Sequence, residues 1–203
     1  MDKHLVWFNE KAAVWEGIAT EETKEKLRRI VQELKIVPGS TVLDVACGTG
    51  ILLRWLARAV APGGRVAGVD FSPEMISRAR TKRFPSTLEL LVADVHQLPF
   101  AGGAFDEVVC NSAFPHFTDK PRAMREMARV LKKNGRLTIC HPSPRDELNV
   151  FHKNLGGAVG GDMLPPADEM EQMAGAAGLE RAAIEDGPDR YVFTAYRGPA
   201  LLP

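Results

Sequence analysis

Three acidic residues stand at the ends of three apolar segments, and a glycine-rich turn follows the first of them. Asp44 leads into the turn Ala46–Gly50, Asp70 ends the next β-branched segment, and Asp94 follows the one after. In a sheet of parallel strands, ligands bind beyond the carboxyl ends of the strands, near the point where the strand order reverses. The pattern therefore predicts that the three carboxylates and the turn border one ligand site.

The same residues indicate what the ligand carries. Glycines in the turn allow a close approach of the backbone, which would also suit a dinucleotide. However, Ile51 and the two leucines after it supply no third glycine of the dinucleotide fingerprint. The Asp44 carboxylate would repel a pyrophosphate and attract an ammonium group, while Asp70 can accept from ribose hydroxyls and Asp94 from an adenine amino group. We interpret the set as a site for a positively charged nucleoside, with a nicotinamide dinucleotide as the alternative.

The elements that must position these residues alternate along the chain. Strands are predicted over 41–46, 65–70, 88–92, 107–111 and 137–140, and helices over 51–60, from Ser72, over 121–131 and over 166–177. This alternation predicts an α/β fold with a parallel sheet covered by helices. A closing hairpin of 179–185 and 191–196 has a connection too short for a parallel crossover, so its strands must be antiparallel.

Composition narrows the function classes. The chain has 203 residues with 26 Lys and Arg against 26 Asp and Glu, and its formal net charge is zero. Nucleic acids and acidic membranes select a basic excess, so neither is an expected partner. No segment approaches the roughly 20 apolar residues that cross a bilayer. Three scattered cysteines fit a reducing cytoplasm better than a disulfide framework, and we expect a cytoplasmic protein.

Several of these segments together resemble one family. Val42–Gly50, Val69–Met75, Ala93-Asp94-Val95 with Leu98-Pro99-Phe100, and Phe105-Asp106 are similar to the successive motifs of class I S-adenosylmethionine-dependent methyltransferases. The similarity is greatest to the small-molecule branch that includes quinone-biosynthesis and arsenite methyltransferases. It implies a Rossmann-like fold, with a mostly parallel seven-stranded sheet, an antiparallel last strand and helices on both faces.

The resemblance also implies roles for individual residues. Asp44 and the turn would hold the methionine part of S-adenosylmethionine, Asp70 the ribose, and Asp94 with the Val95 backbone the adenine. Phe71 and Met75 would pack on the base, although their helical spacing also suits core residues. Asn111 would line the methyl-transfer channel. The expected cofactor-binding residues are Asp44, Ala46, Cys47, Gly48, Thr49, Gly50, Asp70, Phe71, Met75, Asp94, Val95 and Asn111.

Three histidines, His116, His141 and His152, follow later strands on the expected acceptor side. One of them could take a proton from the acceptor, since an imidazole titrates close to neutral pH, or each could be a buried structural residue. We expect His152 to share an inward helical face with Leu148, Phe151 and Leu155. Cys47, Cys110 and Cys140 fall at the same edge and could bind a metalloid, but no metal-ligand spacing is present, so no metal site is predicted.

We expect a single domain in four parts. These are a helical cap (1–36), the cofactor-binding core (37–142), an inserted lid or specificity segment (143–165), and a C-terminal helix with the hairpin (166–203). Trp7, Phe8 and Trp15 in the cap would either pack on the core or close over the cofactor. The prediction is a small-molecule methyltransferase, with a cofactor-binding module without turnover or a nicotinamide-dependent oxidoreductase as alternatives. The sequence does not indicate the oligomeric state.

Overall fold

One mixed sheet of seven strands organises the protein. The computed structural model describes residues 2–198, so Met1 and the last five residues of the predicted C-terminal part lie outside it. The strands are β1 (Thr41–Val45), β2 (Arg65–Asp70), β3 (Leu88–Val92), β4 (Phe105–Asn111), β5 (Leu131–His141), β6 (Leu179–Gly187) and β7 (Arg190–Arg197). The helices are α1 (Lys3–Lys11), α2 (Trp15–Ile18), α3 (Glu21–Glu33), α4 (Leu53–Ala59), α5 (Pro73–Arg80), α6 (Lys120–Val130), α7 (Arg145–Leu155) and α8 (Ala167–Ala176).

The strand order is β3-β2-β1-β4-β5-β7-β6. The first five strands run parallel, and β7 is antiparallel to both β5 and β6. Apolar clusters fill both faces, one beneath α6 and α8 and the other beneath α3 and α4. The predicted α/β class, with its mostly parallel sheet and antiparallel last strand, is therefore confirmed. The strand order reverses at β1, and this places the carboxyl ends of β1 and β4 beside a crevice.

Local sequence signals explain the entry into α5. Ser72 has extended backbone and its hydroxyl accepts from the Met75 backbone N–H at 3.1 Å, while Pro73 occupies the first helical position. A hydroxyl cap and a proline with a preset φ are favourable there because the first turn leaves backbone N–H groups unpaired. This cap sets where the chain leaves β2, two residues after Asp70.

The structure corrects two boundaries in the second half. The prediction that β5 starts at Leu137, after a turn at 133–135, was wrong, because the strand runs from Leu131 and the irregularity is a bulge against β4. Asn134 takes a φ of 63° there, and a Cβ at Gly135 would lie 2.9 Å from the Lys132 carbonyl oxygen. The hairpin turn is also shorter than predicted, since Gly187 and Arg190 still pair.

The orientation of α7 differs from the predicted face. His152 is buried and Leu148 packs against the core, as expected, but Phe151 and Leu155 are 54% and 49% exposed. Asn149 is the residue that turns inward, since its side chain exchanges hydrogen bonds with the backbone of Leu164. Because the Leu164 backbone needs these hydrogen bonds, α7 turns Asn149 toward the core and leaves part of the predicted apolar face in solvent.

Candidate active site

A pocket opens at the carboxyl ends of β1, β2 and β4, and α1 and α2 lie over it. Its walls come from the residues that end these strands and from the loop after β3: Val45, Ala46, Cys47, Gly48, Val69, Asp70, Phe71, Ala93, Asp94, Val95, Asn111, Ser112 and Ala113. Asp2, His4, Phe8 and Trp15 cover it from the N-terminal segment, and Ile51, Met75, His96, His116, Phe117 and Thr118 complete it. Four separate loops and the N-terminal helices therefore converge on one cavity.

The glycine turn after β1 is held in a strained, compact conformation. Ala46 and Gly48 both have a φ of 55°, and the Gly50 N–H donates to the Cys47 carbonyl at 2.9 Å. A Cβ at Gly48 would meet the Trp15 indole at 3.4 Å, so the ring lies directly on the turn. At Gly50, whose φ is 87°, a Cβ would come within 2.8 Å of Leu53. Glycine is favoured at 50 because residues with a Cβ rarely adopt this backbone angle, and a Cβ would also require the Leu53 side chain to shift.

Asp70 links the turn to the second strand. One carboxylate oxygen accepts from the Gly48 N–H at 2.8 Å and the other from the Ser72 N–H at 2.9 Å. Burial raises the pKa of Asp70 to about 6, although these two hydrogen bonds act in the opposite direction. A carboxylate oxygen has two acceptor positions, so each oxygen can still accept a hydrogen bond from a ligand in the pocket.

Asp44 lies behind the pocket wall and does not line the cavity. It is 1% exposed, and its buried Oδ2 has no hydrogen-bond partner within residues 2–198. Burial raises the pKa of Asp44 well above its ordinary value, and the neighbouring Asp70 carboxylate adds to the rise. An unpaired buried carboxylate is costly unless an opposite charge comes near it. Its position beside the glycine turn therefore fits a ligand that brings a cationic group to that turn.

Asp94 is positioned by its own loop. Its Oδ1 accepts from the His96 backbone N–H at 2.9 Å and lies 2.6 Å from His96 Nδ1, and its side chain remains 62% exposed. The adjacent Val95 is buried. The free acceptor capacity of Asp94 and the apolar Val95 together form a ledge suited to a planar base with an amino group.

Aromatic residues of the N-terminal segment form the cover. Phe8 packs edge-on against Trp15 and Phe71, with ring centroids 5.6 and 5.8 Å apart. Met75 belongs to the same buried cluster as Phe8 and Ala12. The two interpretations of this segment therefore coincide, because the helix packs on the core and covers the pocket at the same time.

His4, His116 and His152 gather on one side of the pocket, around Asp162. His116 Nδ1 lies 2.7 Å from Asp162 Oδ2, and His152 Nδ1 lies 2.6 Å from the Asp162 carbonyl oxygen. The rings of His116 and His152 are 4.8 Å apart. His4 Nε2 reaches the same Asp162 carboxylate at 3.0 Å. Residues from α1, the turn after β4 and the segment after α7 thus meet at one carboxylate.

His141 lies deeper, and neither ring nitrogen has a partner among the described residues. Burial lowers the pKa of His141 to about 3, and the charges of His116 and His152 act in the same direction. Burial also lowers the pKa of His152, with His116 contributing. Both imidazoles are therefore neutral at physiological pH.

The three cysteines are free, buried thiols. Burial raises the pKa of Cys140 to about 12 and that of Cys47 and Cys110 well above the ordinary value. Thiols held in this form are poor ligands for soft metals, since the thiolate is the ligand. Within residues 2–198, no group of His, Cys, Asp and Glu side chains has the arrangement of a metal site.

Most of the expected cofactor residues line the cavity, and Asp44, Thr49 and Gly50 stand behind its wall. Of the three candidate histidines only His116 reaches the cavity. Sequence reasoning missed His4, His96 and Asp162, because nothing in their local pattern distinguishes them. It also missed Lys82, which donates to the Thr49 carbonyl and pairs with Glu16 of α2, so a cation does stand beside the turn.

Known proteins share both the sequence motifs and the fold. A family model described as "Methyltransferase domain" matches residues 43–139. A 37.1 kDa protein of transposon TN4556 from Streptomyces fradiae is 35% identical over 141 residues, which are 68% of this chain and 40% of that protein. Demethylmenaquinone methyltransferase of Staphylococcus aureus is 33% identical over 135 residues, 66% of this chain and 56% of that protein. The chain spans about half the length of the curated relatives it matches.

Solved structures extend the likeness to the whole fold. A SAM-dependent methyltransferase from Aquifex aeolicus has a TM-score of 0.74 at 21% identity, covering 92% of this chain and 98% of that one. A chain from the complex that contains the Haloferax volcanii Trm112 methyltransferase activator has a TM-score of 0.80 at 22% identity, covering 95% and 98%. The methyltransferase family model, the relatives and the motifs together support a class I S-adenosylmethionine-dependent methyltransferase, and they imply S-adenosylmethionine as the cofactor. The solved structures add that the fold is the one such methyltransferases have.

Proposed function

We propose that the protein transfers a methyl group from S-adenosylmethionine to a small organic acceptor by in-line displacement. The observation that carries the proposal is the buried carboxyl of Asp44 beside the glycine turn of a pocket bordered by several loops, since its Oδ2 has no hydrogen-bond partner among residues 2–198. When bound, S-adenosylmethionine supplies a methyl group activated by its cationic sulfur. A cationic group of the cofactor near Asp44 would stabilise the ionised form of this carboxyl, which burial otherwise disfavours.

Each loop would hold one part of the cofactor. Asp44 and Ala46–Gly50 would bind the methionine part, with Thr49 and Gly50 maintaining the turn. Asp70, already fixed by two backbone N–H groups, would accept from the ribose hydroxyls. Asp94 and Val95 would bind the adenine, while Phe71 and Met75 pack against it. Asn111 would border the channel between cofactor and acceptor.

The acceptor side would be formed by the histidines. His116 is the only one of the three candidates that lines the cavity, so we assign it the contact with the acceptor. His152 would hold the Asp162 backbone in place through its contact with the carbonyl oxygen. His141 would lie behind the site as a neutral imidazole, with neither ring nitrogen hydrogen-bonded to residues 2–198. Phe8 and Trp15 would exclude water and so keep the reactants aligned, which supplies much of the acceleration of such reactions.

A small acceptor is supported by the segments that cover the site. The N-terminal helix and the segment after α7 meet over the cavity, where a polymer would need an open groove. The names of the staphylococcal relatives also describe methylation of a small molecule.

The division of the chain into a cap, a cofactor-binding core, an inserted segment and a C-terminal part is also proposed. In this division the inserted segment, 143–165, would determine which substrate binds. Three reduced thiols support a cytoplasmic location, and within residues 2–198 no helix has the length and apolarity to span a membrane.

Two measurements test the proposal. Isothermal titration should show binding of S-adenosylhomocysteine and none of NADH; the reverse result would favour an oxidoreductase. The purified protein should then be incubated with a metabolite extract and methyl-labelled S-adenosylmethionine. Label in a small molecule, with release of S-adenosylhomocysteine, is the expected result. Tight binding without any labelled product would instead identify a binding module without turnover.

A further inference from the structure

We infer that Asp162 is the positioning residue of the acceptor site: it fixes the tautomer of His116 so that Nε2 faces the acceptor as a proton-accepting nitrogen. This rests on the proposed function, since it names how that site would take a proton. Asp162 belongs to 143–165, far along the chain from the cofactor motifs, and no local sequence pattern connects it with His116. The connection exists only in the folded chain.

The geometry around Asp162 is that of an enclosed carboxylate with three imidazole neighbours. Asp162 and His116 side chains are each only 12% exposed, and Oδ2 lies 2.7 Å from His116 Nδ1. His4 Nε2 lies 3.1 and 3.0 Å from the two carboxylate oxygens. His152 Nδ1, at 2.6 Å from the Asp162 carbonyl oxygen, holds the backbone from the other side. The carboxylate therefore has little freedom to turn away from His116.

The protonation pattern follows from the donor inventory. An ionised carboxylate only accepts hydrogen bonds, so the nitrogen that faces it must carry the hydrogen. Burial acts to raise the pKa of Asp162, but the hydrogen bonds from His116 and His4 outweigh it and the pKa is lowered, so the group is ionised at neutral pH. In neutral His116 the hydrogen is therefore on Nδ1 and the lone pair on Nε2. Among residues 2–198, Nε2 has no hydrogen-bond partner, and His116 borders the cavity.

This arrangement assigns the path of the proton. The acceptor's heteroatom–hydrogen bond breaks as Nε2 takes the proton, and the freed electron pair forms the bond to the methyl carbon. The electrons of the breaking carbon–sulfur bond stay on sulfur, which becomes the neutral thioether of S-adenosylhomocysteine. The imidazolium is stabilised by the Asp162 carboxylate and later returns its proton to water. The inference therefore favours acceptors with an ionisable O–H or N–H group over acceptors without one.

The decisive experiment reads the tautomer directly and needs no acceptor. Nitrogen-15 NMR of the histidine side chains at pH 8, with the His116 signals assigned by their loss in His116→Gln, should show hydrogen on Nδ1 in the wild type. In Asp162→Leu, which leaves no side-chain acceptor opposite Nδ1, the hydrogen should move mainly to Nε2, whereas the exposed control Asp168→Leu should match the wild type. A wild-type His116 with hydrogen on Nε2, or an unchanged tautomer in Asp162→Leu, would overturn the inference.

Two further readouts separate positioning from folding and from cofactor binding. Asp162→Asn should bind S-adenosylhomocysteine within about threefold of the wild type. With the acceptor found by the label screen, kcat should fall on the order of 10²-fold, and Asp162→Glu should recover part of the loss. If S-adenosylhomocysteine fails to bind the wild type, the proposed function is wrong while the tautomer result still stands. If the Asp162 variants do not fold, the tautomer of His116 in the wild-type protein alone decides whether the inference holds.

Discussion

The hydroxyl of Ser72 donates to Asn9 Oδ1 at 2.6 Å while it accepts from the Met75 backbone N–H. One side chain thereby caps α5 and anchors α1, so the start of the helix beside Asp70 and the cover of the cavity are mechanically joined. The N-terminal segment has a second attachment at His4 and Asp162. The cover is thus fixed at both ends of α1.

Removing the first anchor should open the cover without disturbing the core. In Asn9→Ala we expect the free energy of unfolding to fall by about 1 kcal/mol, because one hydrogen bond is removed while Ser72 still caps α5. Stopped-flow measurement should show S-adenosylhomocysteine dissociating about fivefold faster. Glu10→Gln, an exposed neighbour on the same helix, is the control. Equal dissociation rates in all three proteins would show that α1 does not retain the ligand.

The raised pKa of Asp70 predicts a pH-dependent affinity. Ribose hydroxyls donate to the ionised carboxylate, and with a pKa of about 6 most Asp70 is protonated at pH 5. We therefore expect titration calorimetry to show about tenfold weaker binding of S-adenosylhomocysteine at pH 5 than at pH 7. Asp70→Ala should bind at least about tenfold more weakly at pH 7. A wild-type affinity that is flat across this range would contradict the assignment of Asp70.

The free energy of unfolding should also depend on the protonation of Asp70. Between its ordinary pKa of 3.8 and about 6, the folded state holds a proton on Asp70 that the unfolded state has released. The contribution to the free energy of unfolding is therefore fully present below pH 3.8 and is lost as the pH rises through 6. Urea unfolding of Asp70→Asn should lack this part of the decline. If the difference between wild type and variant does not change with pH, the raised pKa is wrong.

Asp44 and Thr138 are a matched pair of buried side chains, because each has one oxygen with no hydrogen-bond partner in the part of the chain that the structure describes. Asp44→Asn should raise the free energy of unfolding at pH 7 by about 1 kcal/mol, since it replaces an unpaired carboxyl by a neutral amide. That corresponds to a rise in Tm of about 3 °C for a chain of this size. Thr138→Val should stabilise similarly by removing an unpaired hydroxyl.

Ligand binding should distinguish the two variants. Asp44→Asn removes the carboxylate proposed to face the ammonium group of the cofactor's methionine part, a group that S-adenosylhomocysteine retains. S-adenosylhomocysteine should therefore bind about tenfold more weakly, which is about 1.4 kcal/mol. Thr138 lies on β5 outside the cavity, so Thr138→Val should leave the affinity for S-adenosylhomocysteine unchanged. Stabilisation of Asp44→Asn with undiminished affinity would remove Asp44 from the cofactor site.

The orientation of α7 can be tested by comparing its two sides. Phe151→Gln replaces a half-exposed side chain, so the change in stability should stay within about 0.5 kcal/mol. Leu148→Ala removes methyl groups that pack on the core, and we expect a loss of about 1–2 kcal/mol in thermal or urea unfolding. A larger loss for Phe151→Gln would restore the face that the sequence pattern favoured.

The sequence alone was sufficient to predict the fold class and the resemblance to the family. β-Branched runs, the Ser72-Pro73 cap and the glycine turn act over a few residues, so their signals are readable locally. The bulge in β5 was missed because Asn134-Gly135 reads as a turn, while pairing with β4 across the sheet keeps the strand continuous. The inward turn of Asn149 was missed for a similar reason, since its partner Leu164 lies beyond the helix.

The sequence by itself determined the class of protein and predicted the edge of the sheet at which the pocket opens, because both follow from motifs that each lie within one strand and its loop. Only the tertiary structure decided which histidine borders the cavity and which carboxylate holds it. His4 lies more than a hundred residues before His116 and Asp162, and these two lie nearly fifty residues apart. Their side chains come into contact only because the chain packs as it does. Side-chain partners between distant segments depend on how the chain packs, and no local pattern of residue types records that packing.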